Sequence, residues 1–174
     1  MSIRVGHEAT RTPKGIAFTK LVLELFQTNG ALIIEGDRLV SPLGLTSARW
    51  LIIGHVEESL MTVAGIARQL GLQRQSVKRV VDAMIAEGIL EQRGNPKHVR
   101  AKLIALTTSG RRLYNRALKA EIEWSNGLGS VLTLEEYKAT IIALRKLRVV
   151  AQESTLANRR RGSGTPLKKS IRTA

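Results

Sequence analysis

Cysteine is absent from the 174-residue sequence, and only six side chains are aromatic: Phe18, Phe26, Trp50, Tyr114, Trp124 and Tyr137. The first absence excludes a disulfide framework, a thiolate metal site, a cysteine nucleophile and a thiol redox sensor. Acidic residues are scarce too: 14 Asp and Glu stand against 28 Lys and Arg, a formal charge of +14. That surplus calls for a polyanionic partner, with nucleic acid ahead of an acidic membrane surface. No run approaches the roughly 18 apolar residues of a membrane span, and the beginning lacks the apolar block of a signal peptide. A soluble, cytoplasmic, nucleoid-associated protein is therefore expected, with no membrane partner. Hydrophobic residues make up 43% of the chain, which excludes wholesale disorder. The length suits one ordinary domain.

Catalytic signatures are missing as well. No nucleophile stands beside a base, no carboxylates are paired, and no glycine loop sits between a strand and a helix. Gly162-Ser163-Gly164 has neither a strand before it nor a helix after it, and reads as linker. His7, His55 and His98 fall in three different elements without helical metal spacing, whereas zinc wants three or four convergent ligands. An enzyme, a metal site and a cofactor are not expected.

What is present is unevenly distributed. Residues 1–60 are neutral overall; residues 61–112 carry ten basic against three acidic side chains; residues 153–174 carry six against one. The first cluster lies among strong helix and turn signals, and the second has none.

Residues 1–14 read as a flexible arm. From about Gly15 to Arg38, Phe18, Leu21, Val22, Leu25, Phe26, Leu32 and Ile33 recur at helical spacing. Gly30 and Gly36 weaken that helix by about 1 kcal/mol each relative to Ala, and mark either close packing or a bend. Ser41-Pro42-Leu43-Gly44 is a breaker. Thr46 caps a second helix to about Glu58, with Ala48, Leu51, Ile52 and Val56 available to the core. Thr62 caps a third, in which Val63, Ile66, Ala67 and Leu70 share a face and Gly71 ends the helix. A fourth runs from about Arg74 to Glu87 on the stripe Val77, Val80, Val81, Met84 and Ile85, stopped by Gly88. Two helices joined by so short a glycine-containing turn are the sequence form of a helix-turn-helix.

The period then changes. Ile89–Arg93 and Lys102–Leu106 are predicted strands around the turn Gly94-Asn95-Pro96, and the hairpin tip Lys97-His98-Val99-Arg100 is basic. Thr107 caps a fifth helix to about Trp124, which Gly127 and Gly129 break. Thr133 and Glu136 form a capping box for the last helix, where Leu134, Tyr137, Ile141, Leu144, Leu147 and Ala151 share a face. Beyond Asn158 no periodicity remains.

Helix-turn-helix followed by a basic hairpin defines the fold class: mainly α with a small β-hairpin wing, a winged helix-turn-helix. With its apolar stripe inward, the fourth helix turns Arg74, Gln75, Ser76, Lys78, Arg79 and Asp82 outward, preceded by Gln73. Arg matches guanine and Gln matches adenine on the major-groove edge, while Lys78 and Arg79 can instead hold phosphates. The wing offers Lys97, His98, Arg100 and Lys102 to the backbone or the adjacent minor groove. A solvated amphipathic face is the plainer reading of the helix alone, and the wing directly after it favours DNA.

Gly44-Leu45-Thr46-Ser47-Ala48-Arg49-Trp50, the block Val63–Leu90, the wing Asn95-Pro96 through Arg100-Ala101-Lys102-Leu103, and Leu106-Thr107-Thr108-Ser109-Gly110 together resemble the MarR family of prokaryotic transcription regulators. The similarity spans about residues 16–152 in order. It implies a homodimer with intertwined terminal helices on a pseudo-palindromic operator, often a repressor released by a small ligand. Two departures stand out. The family's wing usually carries an Asp shortly before the arginine matched by Arg100, where this chain reads Lys97-His98-Val99. Its recognition helix tends to begin with a small hydroxyl residue, where Gln73 stands.

The resulting division is an arm at 1–14, a winged helix-turn-helix domain at 15–157 and a disordered basic tail at 158–174. Within the domain, the DNA-binding core is about 45–107 and the dimerisation helices are about 15–40 and 108–157. Apolar faces on the terminal helices (Phe18, Leu21, Leu25; Tyr137, Ile141, Leu144) exceed what a small winged domain can bury, which supports a dimer independently, against a plainer reading in which these helices complete a monomeric core. Asp37, Arg38, Arg49 and Trp50 are the expected site for a small aromatic or anionic effector, against a plainer reading of Trp50 as core and Asp37 as a surface ion partner. Two other functions are weighed. A single-strand or RNA binder needs aromatic stacking platforms, yet no aromatic occurs between Trp50 and Tyr114. A helical interaction module without DNA binding leaves the basic face unexplained.

Overall fold

The computed structural model describes residues 11–162, with side chains to residue 154. Its described residues fall in two compact units, 11–125 and 126–162.

In the first unit, α1 spans Pro13–Val40, α2 Ser47–Glu58, α3 Val63–Leu70 and α4 Arg74–Ala86, and a hairpin of β1 (Leu90–Arg93) and β2 (Leu103–Leu106) leads into α5, Thr108–Leu128, which runs past the unit's end. The helix boundaries follow from hydroxyl caps. Thr12, Thr46, Thr62 and Thr107 each accept from a backbone N–H three residues on, satisfying one of the donors a helix start leaves open. Thr12 with Pro13 at the first helical position moves the start of α1 into the predicted arm. Gly30 does not interrupt the helix, and Gly36 marks a close approach: a Cβ there would lie 2.7 Å from the Ser47 hydroxyl oxygen. That hydroxyl donates to Ile33 O at 2.9 Å, fastening α2 to α1.

The core is small and well defined. Ile52, Ile53 and Val56 from α2, Ile66 from α3, Val77, Val81 and Met84 from α4, and Leu90 and Ile104 from the hairpin are all buried. Ile53 replaces the expected Leu51 and Ala48, which are exposed. α2 packs against α1, α3 and β2 at once, so its inward side is set by several neighbours rather than by one stripe.

The helix-turn-helix follows the predicted boundaries. Gly71 takes φ +67, with Leu72 N donating to Ala67 O at 2.9 Å, so the chain leaves α3 through a left-handed cap. Gly88 (φ +71) ends α4 in the same way. β1 and β2 pair antiparallel from Leu90–Leu106 to Arg93–Leu103. The hairpin has an additional partner: Ile104 N donates to Met61 O at 2.8 Å, anchoring the wing to the segment before α3. A single bridge leaves no periodic mark in the sequence.

Where α5 begins, a Cβ on Gly110 would lie 2.1 Å from Ile89 O, so the helix start can sit against the wing base only as glycine. α5 continues beyond the expected end at Trp124 to Leu128 and accommodates Gly127. In the second unit, a 3-10 turn (Gly129–Val131) precedes α6, Leu134–Gly162. The capping box forms as expected: Thr133 N donates to Glu136 Oε2 at 2.8 Å and Glu136 N to Thr133 Oγ1 at 3.3 Å. The backbone remains helical through Gly162, correcting the predicted tail boundary at 158, because Asn158–Arg161 contains no helix breaker and arginine is a good helix former. The rest of the predicted tail, 163–174, and the predicted arm to residue 10 lie outside the described residues. Among the described residues no helix is long and apolar enough to cross a membrane.

Candidate nucleic-acid interface

Arg74, Lys78 and Asp82 follow one another at every fourth residue along α4, one stripe on its outer surface. That stripe lines a groove of about 210 Å³ together with Gln92, Arg100 and Lys102 of the hairpin and with Thr62, Val63 and Ala64 at the start of α3. The fold thus brings together four cations that are separate in sequence, two on the helix and two on the wing. Lys78 Nζ donates to Asp82 Oδ2 at 2.5 Å, while Arg74, Arg100 and Lys102 form no ion pair among the described residues. Free guanidinium and ammonium groups on an open groove are available to an external anion.

The remaining predicted contacts lie on α4, its cap and the wing but do not line this groove. Gln73 occupies the N-cap of α4 in extended conformation, and its side chain makes no capping bond. Its place at the cap therefore leaves the amide group unspent. Gln75, Ser76 and Arg79 are exposed on the same helix. At the wing tip, Asn95 does the organising. Its side-chain oxygen accepts from Lys97 N at 3.0 Å and its amide donates to Ala101 O at 2.8 Å, so one side chain closes the loop that carries Lys97, His98 and Arg100. Val99 is 82% exposed at the apex. In the sequence Asn95 reads only as a turn residue, and the signal for its larger role is Asn-Pro ahead of a basic run.

Each of the four predicted effector residues has a partner within the fold. Asp37 Oδ1 accepts from Ser47 N at 2.6 Å at the start of α2, and this bond holds the carboxyl below its ordinary range. Arg38 pairs with Glu35 one turn earlier on α1. Arg49 forms a two-pronged pair with Glu87, one prong at 2.8 Å, which depresses the Glu87 carboxyl and ties the start of α2 to the end of α4. Trp50 stacks on Tyr114, with centroids 5.5 Å apart and rings 24° from parallel. Three of them join elements: Asp37 ties α1 to α2, Arg49 ties α2 to α4, and Trp50 ties α2 to α5, while Arg38 pairs within α1. His55 Nδ1 lies 2.9 Å from Leu51 O within α2.

A profile of the MarR family matches residues 43–101, from the turn before α2 through the wing. The chain is also 33% identical over 130 residues to an uncharacterised protein of Mycobacterium tuberculosis (strain ATCC 25618 / H37Rv), covering 75% of this chain and 91% of that one. The chain belongs to the MarR family. The transcriptional activatory protein BadR of Rhodopseudomonas palustris (strain ATCC BAA-98 / CGA009) is 27% identical over 64% of this chain and 66% of its own length. Among solved structures, a mutant MarR from E. coli complexed with operator DNA superposes with a TM-score of 0.59 at 22% identity, over 72% of this chain and 94% of that one. The winged-helix fold of MarR-family transcription regulators is thus the fold of this chain.

Proposed function

We propose that this MarR-family chain acts as a homodimer that binds a pseudo-palindromic operator in duplex DNA and represses transcription by occupying it. The observation that carries the reading is the groove that gathers Arg74 and Lys78 from α4 with Arg100 and Lys102 from the wing. Two elements presenting cations to one groove match the shape of a duplex, whose backbone and groove edges lie side by side. In this reading Gln73, Arg74, Gln75 and Ser76 reach base edges, Lys78 and Arg79 hold phosphates, and Lys97, His98, Arg100 and Lys102 follow the backbone into the minor groove. The operator complex of the E. coli MarR mutant is a precedent on the same fold.

The dimer has its own support. α1 leaves Phe18, Leu25 and Phe26 exposed, the last at 72%, and α6 leaves Leu134, Ile141 and Ile142 exposed. Apolar side chains on this scale are normally covered by a partner, and the same faces on a second copy provide that cover. A small aromatic or anionic effector fits best as a competitor for Trp50 and Arg49, because displacing Tyr114 or Glu87 there loosens the ties between α2, α5 and α4. The chain works by binding rather than catalysis, in the compartment that holds the DNA.

The test is fluorescence anisotropy of the purified chain with a duplex enriched from a randomised library, beside a scrambled duplex and the single strand. At about 0.15 M salt the enriched duplex is expected to bind at least a hundredfold tighter than the scrambled one, and tighter than the single strand. Equal affinity for all three defeats the reading.

A further inference from the structure

The basic groove contains one carboxylate, and its position is difficult to justify on grounds of affinity alone. Asp82 stands on the same stripe of α4 as Arg74 and Lys78, lines the groove that Arg100 and Lys102 also line, and is about half exposed. A surface that served only to attract phosphate would do better without it, because a carboxylate near a phosphate is repelled and near a lysine consumes a cation. Its partner is Lys78, at 2.5 Å. Without DNA the two neutralise each other. A phosphate that draws Lys78 away leaves Asp82 charged and unpaired inside a closing interface, a state that costs binding unless DNA supplies a donor. The major-groove donor that suits a lone carboxylate is the exocyclic N4 amino group of cytosine.

We infer that Asp82 is a specificity-determining residue: it accepts from a cytosine N4 amino group in each half-site and penalises duplexes that offer none. This rests on the duplex-DNA reading above and extends it to one base. Lys78 is then released to a phosphate only where Asp82 finds its donor, so the pair couples backbone contact to base identity. The arrangement favours discrimination over raw affinity.

The experiment is selection of bound duplexes from a randomised library by the wild-type dimer and by the Asp82→Asn and Asp82→Ala variants, with Glu24→Gln on α1 as a charge control. Affinities for the enriched and scrambled duplexes are measured at one salt concentration. The wild type is expected to require cytosine at one position of each half-site. Asp82→Ala loses that requirement and Asp82→Asn exchanges it for adenine, which an amide pairs with. Scrambled duplex should bind both variants roughly tenfold more tightly than wild type, narrowing discrimination by about that factor. A motif unchanged in the variants, with all duplexes tightened equally and to the same extent as in Glu24→Gln, overturns the inference while leaving duplex binding intact. A wild type that enriches no motif overturns both. Circular dichroism of the exposed-site variants establishes that each is folded.

Discussion

Gly110 shows how much a single missing methyl decides. Thr107 Oγ1 accepts from Gly110 N at 3.0 Å and Ser109 donates to Gly88 O at 2.7 Å, drawing the start of α5 onto the base of the wing. With Ile89 O only 2.1 Å from the place of a Cβ, Gly110→Ala forces the helix and wing apart. We expect it to cost about 2 kcal/mol in urea denaturation. The groove residues divide differently. Arg74→Ala should flatten base preference at one position, whereas Lys78→Ala should weaken the enriched duplex more than the scrambled one and reduce the salt slope on the enriched duplex by about one, both read from anisotropy titrations. If the two variants bind as wild type does, α4 is not the reading helix. Asp37 gives a pH signature. Its carboxyl is held below the ordinary value of 3.8, first by the backbone N–H of Ser47. A depressed folded value contributes stability above the unfolded one and loses it as pH falls through the folded one. Unfolding followed across acid pH should therefore show wild type more stable than Asp37→Asn near neutrality, with the gap closing below about pH 4. A gap of constant size from neutral to strongly acid pH would assign the effect to packing.

Among the elements, those with local signals were legible in advance. Hydroxyl caps at Thr46, Thr62, Thr107 and Thr133 depend on neighbours three residues away, and the left-handed exits at Gly71 and Gly88 depend on the missing Cβ, so sequence alone locates them. The side of α2 that faces inward was not legible, because α1, α3 and β2 compete for it and Ile53 is taken in preference to Leu51. The bridge from Met61 to Ile104 and the pair Arg49–Glu87 join residues far apart in sequence, where no period operates. The charge surplus located the wing and α4, but not the groove between them, nor the acid inside it. At this scale the Arg49–Glu87 pair can be tested as a connection. Its arginine side chain is 21% exposed and its glutamate 45%, so a double-mutant cycle on Arg49→Ala and Glu87→Ala should give a coupling of about 0.5 kcal/mol. Zero coupling would make the pair ornamental and remove the link from α2 to α4.

For the whole molecule, the +14 charge and the uncovered apolar helices answer different needs. The groove confers shape on part of the charge. The basic run after Asn158, with arginines at 159–161 and further cations at 168, 169 and 172, adds charge beyond the groove. Removing residues 158–174 should weaken scrambled and enriched duplexes by the same factor and lower the salt slope for both, as counterion release requires. The apolar faces of α1 and α6 predict a particle of twice the 19.1 kDa chain mass. The most direct test of the account as a whole is a hydroxyl-radical footprint of the purified chain on its enriched duplex. Two protected half-sites one helical turn apart, roughly 34 Å, related by two-fold symmetry and lost in Arg74→Ala, are the predicted result. A single unsymmetrical patch, or protection that ignores sequence, would contradict it.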